Sequence, residues 1–123
     1  MEKIYLVGAI ARLNLGKAYL HPNTLRDAAG ALSLFPSNNV FHNNLAQAIE
    51  VLHSLDKALD ILNSIQIQNE KPITPIRKAG SGIATIEAPR GTLFYDLVIN
   101  DKGTIDSARI VVPTGQNQIS IYY

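Results

Sequence analysis

The clearest pattern of hydrophobic and polar positions lies between residues 43 and 67. Leucine or alanine recurs there at spacings of three and four residues, at Leu45, Ala48, Leu52, Leu55, Leu59 and Leu62. This spacing predicts one apolar face of a long helix. Ile49, Val51 and Ala58 make this apolar face wider than the narrow stripe of a two-helix coiled coil. We therefore expect the helix to pack against several elements.

The residues before this helix carry weaker signals. Residues 5–15 are apolar but keep neither the helical nor the strand period, which predicts an irregular buried segment. Pro22, Asn23 and Thr24 then form an N-cap signal for a short helix through about Phe35, which residues 36–39 end. The helical part is therefore expected to cover about residues 1–70.

The second half of the chain changes to a strand-like composition, with glycines at positions 80, 82, 91 and 103 and β-branched residues between them. We expect strands near 82–88, 92–99 and 104–112, the last two joined through Gly103. The sheet part is expected to cover about residues 80–117. The fold class predicted for residues 1–123 is a single α+β domain in which a long and a shorter helix precede a three-stranded antiparallel sheet.

Composition narrows the possible functions. Charged residues make up only 17% of the 123 residues, against about 25% in typical soluble domains, so part of the apolar surface is expected to face a larger protein. The net charge is +1 and the basic residues are scattered, which excludes a nucleic-acid partner. No apolar stretch reaches the ~18 residues of a membrane span and no signal peptide is recognisable, which predicts a cytoplasmic protein without membrane contact. The chain contains no cysteine, and therefore has no disulfide, no thiolate metal site and no thiol nucleophile.

The first segment that suggests chemistry is residues 82–91. Pro89 stiffens the chain and Gly91 frees it, so the guanidinium of Arg90 is displayed from a bend and can donate several hydrogen bonds to an anion. The alternative is an arginine on a surface turn that pairs with a carboxylate. The residues alone favour that alternative, since salt-bridged arginines are common.

The second segment is residues 111–117, where a hydroxyl, a glycine and two amides follow Pro113 at the end of the third strand. Such polar groups suit ligand recognition, but they are also ordinary turn formers, and the residues alone favour a turn. The three histidines, His21, His42 and His53, have no metal-ligand spacing and are interpreted as solvated or capping residues. No serine lies in a nucleophile-elbow pattern, so a hydrolase is unsupported.

Four blocks together resemble the large, catalytic subunit of nickel–iron hydrogenases, in particular the cytosolic branch that reduces soluble cofactors. The blocks are residues 5–15, 41–50, 87–93 and 112–117. The run Glu87-Ala-Pro-Arg90-Gly91, followed by Val112-Pro-Thr114, is the most specific part of the match. The family usually has proline where this chain has Ala9, commonly arginine at Gln47, and often histidine in the positions after Leu93.

The resemblance implies a role for each site residue. In the family, four cysteine thiolates hold a nickel–iron pair whose iron carries cyanide and carbon monoxide. Arg90 would lie over that cluster, bond one cyanide and act near nickel, and Thr114 would donate to the other cyanide. Pro89, Val112 and Pro113 would form the apolar wall around the diatomic ligands. The backbone carbonyl of Ile110 would contact a structural magnesium ion.

Since the family's cysteine motifs are absent, the expectation is an internal fragment of a longer large subunit that binds no cofactor and is inactive alone. The implied partners are the rest of that subunit, an iron–sulfur small subunit and molecular hydrogen, with a homodimer of the fragment through exposed strand edges as a further expectation. Two alternatives stay open. One is a fragment of a metal-free relative, the quinone-binding subunit of complex I, and the other is a non-catalytic interaction domain that packs through the face from Leu45 to Leu62.

Overall fold

The structure is a computed structural model that describes residues 5–121, with only the backbone described for residues 119–121. Helices come first, then strands, then a terminal helix. The helices are α1 (Ala9–Gly16), α2 (Pro22–Asp27), α3 (Ala29–Leu32) and α4 (His42–Ser64), the strands are β1 (Gly80–Ala88), β2 (Gly91–Ile99) and β3 (Ile105–Val111), and the last helix is α5 (Pro113–Ile121). The predicted α+β class, with helices followed by a three-stranded antiparallel sheet, is confirmed.

The hydrophobic core lies in the helical half, where α1 packs against α4 and the end of α3. Its buried members are Ala9, Ile10, Leu13, Leu32, Phe35, Ala46 and Ile49. The prediction of an irregular segment over residues 5–15 was wrong from Ala9 onwards, because Ile10 and Leu13 turn one helical face towards α4. That face is only one turn long, which is too short to give a clear period in the sequence.

The short helix predicted from the Pro22 region to Phe35 is two helices that meet at Ala28. The residue that caps α2 is His21, whose ring Nδ1 accepts a hydrogen bond of 3.1 Å from the backbone N–H of Asn23. Pro22 therefore occupies the first helical position, where its missing N–H costs nothing.

The long helix was predicted correctly, but not its buried face. Ala46 and Ile49 are buried against α1, whereas Leu55, Leu59 and Leu62 are 59%, 60% and 70% exposed. The helix α4 packs against both α1 and α2, as the multi-helix expectation required. The leucine face beyond Leu52 is left uncovered by residues 5–121, because the sheet does not fold back over it.

The sheet has the order β1-β2-β3 with antiparallel neighbours. The predicted strands match it to within two residues. The β2–β3 loop contains Gly103 at φ 75°, and the Asn100 side chain accepts bonds from the backbone N–H groups of Lys102 and Thr104. The sheet part was predicted to extend to residue 117, but it ends at Val111, because Pro113 begins α5 instead of a turn.

Between residues 5 and 121, no helix has the length and the apolar character that crossing a membrane requires.

Candidate functional site

The first part of the site is the two-residue turn between β1 and β2, which consists of Pro89 and Arg90. Ala88 pairs with Gly91 across the turn, and Gly91 has a φ of 133°. Arg90 is exposed, and its guanidinium makes no hydrogen bond or ion pair to any residue that the structure describes. Among the described residues no carboxylate pairs with Arg90, because the nearby carboxylate of Glu87 is bound by another arginine, Arg12.

The second part is the junction of β3 and α5, and it lies against the first. A Cβ atom built on Gly91 would be 3.0 Å from the Cβ of Pro113 and 2.5 Å from Cγ2 of Val7. The side-chain N–H of Gln116 donates to the backbone carbonyl of Thr92 at 2.7 Å. The two segments singled out in the sequence, about two dozen residues apart, are thus in direct contact.

The predicted site residues around this contact differ in burial. Pro113 is buried under the turn, whereas Pro89, Val112 and Thr114 are exposed. The hydroxyl of Thr114, like the Arg90 guanidinium, makes no hydrogen bond within the described chain. Ile110 lies on the edge strand β3, opposite Tyr95 of β2.

The amide of Asn117 has an internal role. Its Oδ1 accepts from the backbone N–H of Val7 at 2.8 Å, and its Nδ2 donates to the carbonyl of the same residue at 2.9 Å. Gln116 and Asn117 therefore hold neighbouring backbone, and Thr114 is left as the outward-facing polar donor of the segment. The polar groups of residues 111–117 thus divide into two that bond neighbouring backbone and one that is free for a ligand, which is why the sequence suggested both roles.

Arg12 was missed as a site residue in the sequence. Its guanidinium forms a two-pronged ion pair with Glu50 of α4, with Nε–Oε1 and Nη2–Oε2 distances of 2.7 Å each. Its Nη1 also donates to Glu87 of β1 at 2.6 Å. A signal did exist, because a single charge in the apolar run of residues 5–15 is costly to cover unless it is paired.

The pKa values of this network follow from its geometry. The hydrogen bond to Glu50 raises the pKa of Arg12 above its ordinary value and outweighs the opposing effect of burial. Burial acts to raise the pKa of Glu87, but bonds from Thr92 and Arg12 outweigh it, so the pKa of Glu87 is lowered. Both groups are therefore held in their charged forms at neutral pH.

A cleft of about 900 Å³ opens between α1, α4 and the Arg90 turn. Its charged side carries Arg12, Glu50, Glu87 and Arg90, and its apolar side includes Leu13, Leu20, Val51 and Leu55. A pocket with an apolar wall and a few converging polar groups is the usual form of a binding site.

Of the three histidines, His21 acts as a helix cap, in agreement with the interpretation of the sequence. His21 caps α2, and the ring Nδ1 of His53 accepts a bond of 2.9 Å from the backbone N–H of His21. His42 instead bonds the hydroxyl of Ser37 at 2.8 Å.

The polar groups of the site are suited to anions and not to a metal ion. The sequence supplies no thiolate, and residues 5–121 contain no group of three or more histidines and carboxylates arranged to hold a metal. The two outward donors, Arg90 and Thr114, offer N–H and O–H groups. They are therefore able to bind an anion.

No protein-family model matches the chain. Individual relatives do. The chain is 34% identical to the alpha subunit of sulfhydrogenase 1 from Pyrococcus furiosus, over 92% of this chain and 27% of that protein. It is 35% identical to the beta subunit of the NAD-reducing hydrogenase HoxS from Cupriavidus necator, over 90% of this chain and 24% of that protein. The chain thus spans about a quarter of the length of these relatives.

The chain is also similar to solved structures of hydrogenases. An NAD⁺-reducing nickel–iron hydrogenase in its H₂-reduced state matches 96% of this chain and 27% of its own, with a TM-score of 0.63 and 28% identity. The nickel–iron–selenium hydrogenase of D. vulgaris Hildenborough matches 93% of this chain and 26% of its own, with a TM-score of 0.71, and at 23% identity it shows the shared fold. The resemblance to hydrogenases read from the sequence is confirmed: the relatives in sequence are hydrogenase subunits, and those in structure are nickel–iron hydrogenases.

Proposed function

We propose that this chain, a homologue of hydrogenase subunits, forms part of the wall of a nickel–iron site in a longer large subunit whose holoenzyme oxidises molecular hydrogen reversibly. The observation that carries the proposal is the pair of unpartnered donors, Arg90 and Thr114, on two segments that meet at Gly91 and Pro113. Both segments resemble motifs of the hydrogenase large subunit. The chain is proposed to be an internal fragment that is inactive alone.

In this proposal each residue acts on ligands of the metals. The planar fork of Arg90 would donate to one cyanide and act near nickel, and the hydroxyl of Thr114 would donate to the other cyanide. Pro89, Val112 and Pro113 exclude water around the diatomic ligands. When bound, the nickel–iron pair supplies the centre at which hydrogen is split. The backbone carbonyl of Ile110 is proposed to face a magnesium ion.

The metal ligands must then come from outside this sequence, because soft thiolates are needed and the chain has no cysteine. The proposed partners are the remainder of the large subunit, an iron–sulfur small subunit and molecular hydrogen, all in the cytoplasm. The relatives are subunits of sulfhydrogenase 1 and of the hydrogenase HoxS, which supports this assembly.

Two other functions have less support. A fragment of the metal-free quinone-binding subunit of complex I is disfavoured by Arg90 and by the Val112-Pro-Thr114 run, and the matching relatives are hydrogenase subunits. A non-catalytic interaction domain is favoured by one observation, the uncovered leucine face of α4. That face is equally expected of a piece that packs inside a longer subunit.

Sequencing the complete reading frame is the first test. Cysteine pairs on both sides of this segment are expected, whereas their absence would identify the metal-free relative.

The second test measures metal and hydrogen turnover. The 123-residue chain is expected to contain no stoichiometric nickel or iron and to neither take up nor evolve hydrogen, and one nickel per chain would contradict the proposal. In the holoenzyme, Arg90→Lys is expected to lower kcat by at least about 10²-fold, as loss of one preorganised donor does elsewhere. Arg109→Lys, an exposed arginine on β3, is the matched control and should keep full activity.

A further inference from the structure

Arg12 is the most completely bonded side chain at the site. A guanidinium carries five N–H donors in a fixed fork, and each of those of Arg12 has an acceptor. Two bonds go to Glu50 and one to Glu87. The other two go to the backbone carbonyls of Ala88, at 3.1 Å, and Pro89, at 2.9 Å.

Three of these acceptors belong to consecutive residues, Glu87, Ala88 and Pro89, which immediately precede Arg90. Arg12 lies on α1 and is separated from them by 75 to 77 positions in the chain. Glu50, on α4, fixes the other side of the guanidinium. One side chain therefore connects two helices of the core to the turn that displays Arg90.

Gly8, just before α1, also contacts the same turn. A Cβ atom on Gly8 would be 2.9 Å from the carbonyl oxygen of Arg90, so the backbone of Gly8, the N-cap residue of α1, packs directly on the backbone of Arg90. The side chain of Arg90 has no hydrogen bond of its own within the described chain. Its direction is consequently set by the backbone of the turn.

We propose that Arg12 is the positioning residue of the site: its fork fixes residues 87–89 and thereby aims the guanidinium of Arg90. This inference rests on the function proposed above, and it adds a residue that acts through Arg90. Lysine cannot replace Arg12, because one ammonium has three donors, no planar fork, and cannot reach five acceptors on three elements. A displacement of about 1 Å at a positioned group can reduce a reaction rate by ~10²-fold. The bonds from Arg12 to residues 87–89 are therefore expected to affect the catalytic rate of the holoenzyme.

The test is the backbone order of the turn in the 123-residue chain, measured by ¹⁵N relaxation. In Arg12→Lys, the order parameters of Arg90 and Gly91 are expected to fall from about 0.85, typical of rigid backbone, to below about 0.6. The amides of α4 should stay as ordered as in the wild type. The control is Arg26→Lys, which alters an exposed pair with Asp27 on α2 and should leave the turn unchanged.

A second pair of variants covers the case in which Arg12→Lys fails to fold. Glu87→Ala removes the carboxylate that Arg12 binds and keeps the ion pair with Glu50, so it should loosen Arg90 and Gly91. Thr92→Val is its matched control, because Thr92 donates to the same carboxylate from the other side and Arg12 keeps its hold. A turn that stays rigid in Arg12→Lys, or in Glu87→Ala when Arg12→Lys does not fold, overturns the inference.

This outcome is separable from the fate of the proposed function. If the turn loosens but Arg90→Lys leaves hydrogen turnover intact, the proposed function fails and the positioning role of Arg12 survives. If Arg90→Lys abolishes turnover while the turn stays rigid in Arg12→Lys, the positioning inference fails alone. A role of Arg12 in stability only would lower the unfolding midpoint and leave the local order of residues 90 and 91 unchanged.

Discussion

At the scale of single residues, Gly91 is where the Arg90 turn meets both Val7 and Pro113. A methyl group there would lie 2.5 Å from the Val7 side chain, and the φ of 133° is one that residues with a Cβ rarely adopt. We expect Gly91→Ala to lower the free energy of unfolding by more than about 2 kcal/mol, through strain and overpacking combined.

The matched control for Gly91 is Gly30 on α3. A Cβ at Gly30 has no neighbour within 4 Å, so Gly30→Ala should raise the free energy of unfolding by about 0.5–1 kcal/mol, as alanine does in helices. Urea unfolding followed by circular dichroism measures both variants. Equal effects would show that the close approach at Gly91 is not rigid.

Glu87 makes stability depend on pH at the same turn. Burial alone would raise its pKa, but its bonds from Thr92 and Arg12 lower it below the ordinary 4.5. A carboxylate with a lowered folded-state pKa stabilises the fold above the unfolded pKa, and that contribution is lost as the pH falls through the folded value. Because the Glu87 side chain is 46% exposed, we expect a contribution below about 1 kcal/mol.

The measurement for Glu87 is the urea midpoint at pH 6.5, 4.5 and 3.5. The decrease on acidification should be smaller in Glu87→Gln than in the wild type. Glu70→Gln, in the exposed segment after α4, should leave the decrease as it is in the wild type. Identical pH dependence in all three proteins would rule out the stabilising role of the Glu87 carboxylate.

At the scale of elements, α4 has a buried half and an uncovered half. Ile49 is 4% exposed and packs on α1 and the residues after α3, whereas Leu59 is 60% exposed. Ile49→Ala should therefore cost about 2–4 kcal/mol, through lost burial and the cavity it leaves.

Leu59→Ala is the companion measurement on the same helix. It should change the free energy of unfolding by no more than about 0.5 kcal/mol, because the side chain is mostly exposed and packs little against the described residues. A large cost at Leu59 would mean that another copy of the chain, or an element outside residues 5–121, covers this face.

The contrast between α4 and the sheet shows which features a sequence can predict. The strands and the Asn100–Gly103 loop were predictable because turn chemistry and alternation are local. The buried face of α4 was not, because the leucine spacing states that a face exists but not which residues cover it. Arg12 illustrates the same limit: its bonds join positions 38 and 75 residues apart, and no local pattern encodes them.

At the scale of the whole molecule, the described residues leave both edge strands of the sheet exposed. Every residue of β3 and all but the last of β1 are exposed, and both strands are edges of the sheet. Apolar side chains on them include Ile83, Ile86 and Ile110, at 78%, 61% and 51% exposure. The low charge content noted in the sequence thus corresponds to apolar surface that the chain does not bury by itself.

Open edges with apolar neighbours favour strand pairing between copies, since each edge presents unpaired N–H and C=O groups. We therefore expect the isolated chain to self-associate reversibly, with a sedimentation coefficient that rises with concentration in analytical ultracentrifugation. Ile83→Lys places a charge on β1 and should shift the equilibrium to monomer. Ile76→Lys, at a residue that is 91% exposed and outside any strand, should leave it unchanged. A charge opposes strand pairing only where the strand edge is the contact between copies. An equal effect of both substitutions would therefore mean that general hydrophobicity drives association. A strict monomer at all concentrations would show that the strand edges do not pair without a partner.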